Sequence, residues 1–533
     1  MSRQNPSQLE PTAQGATSAN AKPTTQGATP ANARPNPRRA RLRFGVGLGL
    51  SVLISAVGIA PMQPAQAAFT MSVAGVHAGA TPFIAMVTLK NVDFKKATAA
   101  RFSVEPKPGT VSATINGAYS LSYLAAHDYV DVAHKTVTVP VYGLYAGFAN
   151  TLHLKLTGPK FAQPADTTFT TAAWWANGGP QYSDRQTIVA RNANIKLGYS
   201  FFMLKAWSAG AHPVVLDTDG NVRWVGTAGN GQQGSTFVGN NFFLGDGSKL
   251  QRIGLDGSVT TLNDMSNIGY NTYHHQIDPG RDGLLLELNK ANNQEADIVE
   301  VNLQGRVLRN WDFAQIIGDT MRAGGDDPSA LVRANSNTDW FHNNAATYWP
   351  AKNQLVVSSR ENFVIGIDYD TKQIKWILGD PTKAWHQYPS LAALALTVPN
   401  GGHYPIGQHA VSFNSTGQLM LFDNGMASNA QTPAGDSRQV SQPRRYLLNL
   451  TARTATETWA FAHSPAIYSP ICSSIYQSGN SYLIDYASEN WGNVRLVGID
   501  GNNNIAFEYL LAGANWDRGW NALPIHIENL SYK

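Results

Sequence analysis

The sequence predicts an all-β protein, a six-bladed β-propeller preceded by a small N-terminal β-sandwich. Three observations carry that expectation. Charged residues are only 14% of the chain, while 48 residues are Gly and 10% are aromatic. An average soluble domain is about 25% charged, and a charge-poor, Gly- and aromatic-rich chain suits many short strands and tight turns. Short runs between residue 69 and about residue 170 alternate apolar and polar side chains, and from about residue 185 one hairpin signature recurs six times.

The N-terminal segment stands apart. Residues 1–37 are rich in Ser, Thr, Ala, Pro, Gln and Asn, with the near-repeat "AQGATSANAKP" and "TQGATPANARP", which reads as a disordered extension. "PRRARLRF" then supplies a positive region, "GVGLGLSVLISAVGIA" an apolar one and "PAQAAF" an A-x-A cleavage signal ending at Ala67. This predicts a secretory signal peptide within 1–67 and export, to a bacterial periplasm, with no span left after cleavage. A membrane anchor is the competing reading; the apolar run is short and broken by Gly, which favours cleavage. Arg38 and Arg39 hint at twin-arginine export.

Residues 68–180 form the expected sandwich. "FIAMVTLKNV", "RFSVEP", "TVTVPVYGLY" and "NTLHLKLTG" alternate with period two between Gly and Pro punctuation. His77, His127, His134 and His153 fall in these runs without any cluster of reactive partners and read as surface or strand residues.

Residues 181–533 form the expected propeller. The signature reads "VLDTDGNVRWV", "RIGLDGSVTTL", "EVNLQGRVLRNW", "GIDYDTKQIKWIL", "LNLTARTATETWAF" and "VGIDGNNNIAFEYL". Each is two strands around a tight Asp/Gly turn. Further strand runs precede most of them, "GLLLELN", "QLVVSSR", "QLMLFDN" and "NSYLIDY" among them. Two hairpins per unit give a four-stranded blade. Residues 314–338 and 380–406 are the long inserts, expected as loops between blades.

Propeller chemistry sits around the central channel, so the residues ahead of each unit's strands matter most. "YNTYHHQIDPG" carries His274 and His275, "DWFHNN" carries His342, and "GGHYPIGQH" carries His403 and His409. His275 and His409 each lie eight residues before a turn glycine, Gly283 and Gly417. Arg360 ends the strand that follows His342. One such histidine would more often be structural; several at equivalent places beside an arginine point to a site. Three imidazoles suit catalytic zinc, but a fixed arginine repels a divalent ion at low dielectric, and carboxylates are scarce in these motifs. An anionic ester fits better. The guanidinium fork matches a tetrahedral oxyanion, and imidazoles serve as nucleophile, acid and base near neutral pH. Phosphoryl or sulfuryl transfer is the class these groups suggest.

At these residues the chain resembles the bacterial arylsulfate sulfotransferases, through residues 339–381, "GQHAVSFNSTGQLMLFDNG" and "HHQIDPGRDGLLLELN". The resemblance extends over the mature chain. It implies a six-bladed propeller enzyme that moves a sulfuryl group from a phenolic sulfate ester to an acceptor phenol. The expected mechanism is ping-pong through a sulfohistidine. It implies no nucleotide donor, and no G-x-x-x-x-G-K-[ST] loop is present. His409 matches the sulfated histidine. Arg360, His342 and His275 match the other catalytic residues, and Asn344 and His274 are expected to bind substrate, His274 being also the alternative to His275. Arg360 and His342 would hold the sulfuryl oxygens, and His275 would protonate the leaving phenolate and deprotonate the acceptor. No metal or cofactor is expected, and a homodimer is a possible assembly. Two features depart from the family: the lone Cys472 leaves no disulfide pair and reads as a small buried residue, and Ala410 stands where an acidic residue is expected.

The net charge of +4, without a Lys/Arg stripe interleaved with aromatics, argues against a nucleic-acid partner. The runner-up readings are a quinoprotein-like dehydrogenase, suggested by "GIDYDTKQIKWIL", and a non-catalytic ligand-binding propeller.

Overall fold

The computed structural model describes residues 70–174, 182–206, 213–227, 233–291, 293–334, 338–399, 401–513 and 515–533. The expected signal segment ending at Ala67 and the boundary expected near residue 180 lie outside them.

The chain is all-β, with few helices. Among the described residues there are eight sheets, none closed on itself. Two come from the N-terminal third. Ser72–Ala78, Ile84–Lys90, Thr136–Tyr142 and Val130–Asp131 form one. Ala99–Val104, Ile115–Ser120, Ala149–Gly158 and Phe161–Thr170 form the other. Their alternating side chains meet in one core that includes Val87, Phe102, Val139 and Leu154, as period-two strands with one buried face require. His77, His127, His134 and His153 are exposed.

The other six sheets follow in chain order, and each is antiparallel. Counted from its leading strand, each sheet carries the repeated signature as its third and fourth strands; in the first sheet these are Val214–Asp217 and Val222–Val225. Their turns share one device: the leading Asp or Asn side chain accepts backbone N–H groups two to four residues on. Asp217 takes that of Asn221 (2.8 Å), Asn302 those of Gln304 (3.0 Å) and Arg306 (2.9 Å), and Asp500 that of Asn504 (2.9 Å). This is how Asx turns close a hairpin. Gly220 and Gly305 adopt φ of +80° and +81° there, the left-handed region open to glycine.

The leading strands of neighbouring sheets pack beside one another: Gln233–Val238, Tyr270–Pro279, Asn343–Trp349, His409–Phe413, Ser474–Ser478, then Asn521–Ile525. The last of these is C-terminal, yet it pairs with Phe201–Lys205 of the first sheet, so strands from both ends of the unit share a sheet. This is a β-propeller arrangement. Beyond it, Asn529–Tyr532 joins the N-terminal sheet, parallel to Ile115–Ser120. Arg223, fully buried, makes a second link, from the first of the six sheets to the other N-terminal sheet: it donates to the carbonyl of Gly143, next to Thr136–Tyr142 (3.0 Å), while pairing with Asp217 (3.2 Å).

The inserts are not simple loops. Phe313–Ala323 is a helix, capped by the Asp312 side chain, which accepts the Gln315 N–H at 3.1 Å. Phe313, Ile316, Ile317 and Met321 recur at helical spacing and are buried against the third and fourth sheets, a 3.6-residue period easily lost in a β-rich chain. Residues 380–406 contain a 3₁₀ turn, Ala384–Gln387, and a short helix, Pro389–Ala392.

Candidate active site

His275 and His409 sit on leading strands, and His342 immediately before one, at places where the ladder breaks. Register shifts lie between Tyr273 and Ile277, between Asn343 and Ala345, and between His409 and Ser412. His275, His342 and Ala410 have φ of +35°, +52° and +56°. A bulge re-aims side chains that a regular strand would send to alternate faces, and left-handed non-glycine residues concentrate at functional sites. Ala410, where an acid was expected, is fully buried.

The bulges bring three sheets to one point. The His275 ring centroid is 4.8 Å from that of His342 and 6.1 Å from that of His409. A nitrogen from each of the three lies within 4.8 Å of the others, a grouping that could hold a metal ion. His274 is buried behind His275, with Nδ1 3.2 Å from the Nδ1 of His275 and 3.7 Å from Glu287. The structure therefore places His275, not His274, beside His342 and His409. His403 is half-exposed, pairs with Glu457 at 3.2 Å, and lies outside the cluster.

His409 is held in one orientation. Its Nδ1 is 2.8 Å from Asn424 Oδ1 and 3.1 Å from the Gly407 carbonyl. The Asn424 amide NH₂ donates to the carbonyls of Ser469 (2.7 Å) and Cys472 (3.0 Å). Those two acceptors fix which end of the amide is oxygen, so Nδ1 of His409 must be the donor and Nε2 carries the lone pair. The Cys472 N–H donates to that Nε2 at 3.2 Å. Cys472 is thus half-buried at the site, not the buried filler expected, and its backbone is left-handed, with φ +55°.

His342 is surrounded differently. Its Nδ1 lies 2.7 Å from the Glu295 carboxylate and also bonds Asp339. Arg360, 5% exposed, donates its backbone N–H to the His342 carbonyl at 3.0 Å. Its guanidinium grips Glu361 through Nε (2.8 Å) and Nη2 (2.7 Å). The far oxygen of Glu361 accepts from the Ser428 hydroxyl and from the N–H groups of Asn429 (2.7 Å) and Ala430 (2.8 Å). Lys383 braces the same corner, donating to the carbonyls of Arg360 (3.0 Å) and Glu361 (3.2 Å). Asn344, expected at the substrate, is fully buried and donates to the Gln408 carbonyl at 2.9 Å, which anchors the residue before His409.

These surroundings split the charge among the rings. Burial, then the charge on His342, pushes His409 down to about 3. Burial and the neighbouring cations likewise hold His275 well below its usual value, so both are neutral near pH 7. Burial and Arg360 oppose charge on His342, but Asp339 and Glu295 outweigh them and hold it well above 6.5, as an imidazolium. Glu361 is buried too, which disfavours its charge, yet Arg360 and His342 bring it down to about 2. Burial lowers Lys383 to about 8. The site therefore offers two neutral imidazoles facing one imidazolium and one guanidinium, with the carboxylates behind the cations.

Sequence reasoning missed Asn424, Glu295, Asp339, Glu361 and Lys383. Asn424 and Arg360 had a shared signal, since each directly follows the second strand of its sheet. Asp339 stands three residues before His342, but Glu295 comes from a different sheet and only the fold brings it there.

Comparison with known proteins agrees with this chemistry. A profile of the family described as "Arylsulfotransferase (ASST)" matches residues 182–508, which span the whole cluster. No curated protein matches the chain. Among solved structures, the β-propeller domain of Cps50 (Swd1) from Myceliophteria thermophila aligns at 11% identity and TM-score 0.34, over 62% of this chain and 88% of that one. A Bacteroides thetaiotaomicron protein of unknown function aligns at 11% identity and TM-score 0.33, over 84% and 98%. A quinonprotein alcohol dehydrogenase-like protein from the same organism aligns at 8% identity and TM-score 0.30, over 80% and 90%. At these scores the three structures carry no argument about this chain. The family profile does, because it covers more than half of the sequence: the chain belongs to the arylsulfotransferase family and is an aryl sulfotransferase.

Proposed function

We propose that the protein moves a sulfuryl group from a phenolic sulfate ester to an acceptor phenol in two displacements, through a sulfohistidine on His409. The observation that carries this reading is the fixed tautomer of His409. Asn424 holds Nδ1–H, burial keeps the ring neutral, and the Nε2 lone pair, which accepts the Cys472 N–H at 3.2 Å, is the nucleophile once it leaves that contact for sulfur. In the first step the Nε2 lone pair attacks sulfur, the S–O(aryl) bond breaks, and its electron pair leaves with the phenolate. His342 and Arg360 balance the charge spread over the sulfuryl oxygens, by analogy with phosphoryl transfer.

The charge pattern reassigns one expected role. His275 is neutral, so it is a poor proton donor to a leaving phenolate and a suitable base for the acceptor phenol. His342, the protonated ring, supplies the proton to the first phenolate. In the second step His275 takes the acceptor's proton, the phenol oxygen attacks sulfur, and the S–N bond breaks. His275 then passes that proton to His342, whose ring centroid is 4.8 Å away, and both rings return to their starting charge. A phenol has a pKa near 10, as for Tyr, which makes an aryl ester far easier to cleave than an alkyl one.

The wider reading is an N-terminal β-sandwich (68–180) attached to a six-bladed propeller (181–533), exported to the periplasm after cleavage near Ala67. The two N-terminal sheets with a shared core and the six successive sheets support it. No helix among the described residues is long and apolar enough to cross a membrane.

The reading is tested with p-nitrophenyl sulfate and phenol, without nucleotide. Nitrophenolate release should require phenol for turnover and survive chelation. Release that needs a nucleotide, or a chelator-sensitive reaction, overturns it.

The pH profile follows from the two shifts. His409 is the free base above about 3, so the nucleophile is lost only as pH falls through that value. His342 is raised well above 6.5, so its charge is present at neutral pH and lost as pH rises through that raised value. We expect kcat/KM to keep its value as pH falls through 6.5 and to decline on the alkaline side; an acid limb near 6.5 contradicts the assignment.

Asn424→Ala removes the acceptor that fixes the tautomer without removing the nucleophile. A partner that orients a reacting imidazole is worth about 10–100-fold, judged from orienting partners of metal-bound histidines. We expect kcat to fall by that factor with donor KM little changed, and no change in kcat would remove Asn424 from the mechanism.

A further inference from the structure

We propose that the same cluster is a binding site for a divalent transition ion of the zinc type, held by His275, His342 and His409, and that the bound ion blocks sulfuryl transfer. The inference rests on His409 being the nucleophile only for its inhibitory half; the binding site stands on geometry alone.

The distances are the first argument. Three points no more than 4.8 Å apart always have a position within about 2.8 Å of all three, and a zinc–imidazole bond is about 2.0–2.1 Å. Movements of less than about 1 Å at the ring tips complete the coordination. Three imidazoles with an open fourth position are a ligand set suited to zinc.

The outer contacts are the second argument. A metal-bound histidine usually donates its remote N–H to a carboxylate or carbonyl, which fixes the ring and raises its basicity. His342 has that arrangement, with Nδ1 hydrogen-bonded to Asp339 and 2.7 Å from the Glu295 carboxylate. His409 has it too, with Nδ1 on Asn424 Oδ1 at 2.8 Å and on the Gly407 carbonyl at 3.1 Å. Each ring is therefore left with Nε2 as its ligand atom; His409 offers a lone pair there, and His342, an imidazolium without the ion, gives up its Nε2 proton to water as the ion binds. At His409 the contact an ion would displace is the Cys472 N–H at 3.2 Å.

Charge is the third. The repulsion expected from Arg360 is largely cancelled, because its guanidinium is bound at two points by Glu361. Glu295 and Asp339 place two further carboxylates beside His342. Glu295 also groups with His274 and His275, so negative charge surrounds the cluster on more than one side. Inhibition follows from the lone pair: Nε2 of His409 cannot hold an ion and attack sulfur at once.

The test uses untagged, chelator-treated full-length protein titrated with CoCl₂, followed by visible absorption, and assayed for nitrophenolate release with added ZnCl₂. The expected result is one tetrahedral Co²⁺ spectrum per chain, displaced by Zn²⁺. Zinc inhibition should be competitive with p-nitrophenyl sulfate and reversed by chelator. His409→Asn and His275→Asn should each lose the spectrum, with melting curves showing that both remain folded. Asp339→Asn, which keeps all three ligands, should weaken Co²⁺ binding by about 10–100-fold. No spectrum in the wild type, or a spectrum retained in both histidine variants, overturns the site. An active enzyme that zinc neither binds nor inhibits sinks this inference and leaves the proposed reaction standing. A cobalt spectrum in a protein without sulfuryl transfer does the reverse.

Discussion

Replacing His409 with asparagine should abolish transfer, lowering kcat by about 10⁴-fold or more, as removal of a covalent nucleophile does elsewhere. Asparagine keeps a polar side chain beside Asn424 but has no ring nitrogen to attack sulfur. The loss should appear in the first displacement, so no burst of nitrophenolate should precede steady turnover. His342→Asn and His275→Asn should slow the reaction less, because each removes charge balance or a base and leaves the nucleophile in place. If His409→Asn keeps its burst, another residue accepts the sulfuryl group.

The second large effect is expected at Arg360. Removing one preorganised donor to a developing oxyanion costs about 10²–10³ in kcat. Arg360→Ala should lose at least that. It also strands Glu361, which is buried and fully ionised at neutral pH, and breaking a buried pair costs about 3–5 kcal/mol of stability. Arg360→Lys separates the two effects, since it retains the charge for Glu361 but not the planar fork. We expect Arg360→Lys to melt near the wild type and still lose most of kcat. A lysine variant with near-normal kcat would mean that charge alone suffices at this corner.

How far the sequence revealed these features depended on whether the information was local. The six outer hairpins were legible because each is set by residues within one short stretch. An Asp or Asn side chain caps its own turn, and a glycine often takes the left-handed position. The histidines were legible because the repeat gives a register against which His275 and His409 could be compared. The helix Phe313–Ala323 was hidden, although Phe313, Ile316, Ile317 and Met321 carry its period, because a loop reading of an insert between strands asks for no period. The charges of the site were hidden for a different reason. Arg360 reads as an unopposed cation until Glu361 is seen gripping it, and the imidazolium character of His342 depends on Asp339 and on Glu295, a residue of another sheet whose own backbone adopts φ +47°. Asn344 shows the converse. Its motif pointed to the substrate, while its amide hydrogen bond holds Gln408, the residue just before the strand that begins at His409.

The central claim is that His409 carries the sulfuryl group between donor and acceptor. The most direct measurement is mass spectrometry of protein mixed with p-nitrophenyl sulfate without any phenol, quenched at alkaline pH and digested. The peptide holding His409 should gain one SO₃, in step with one nitrophenolate per chain, and lose it when phenol is added before the quench. A stoichiometric burst with no SO₃ on that peptide, or with SO₃ on a different residue, would contradict the account.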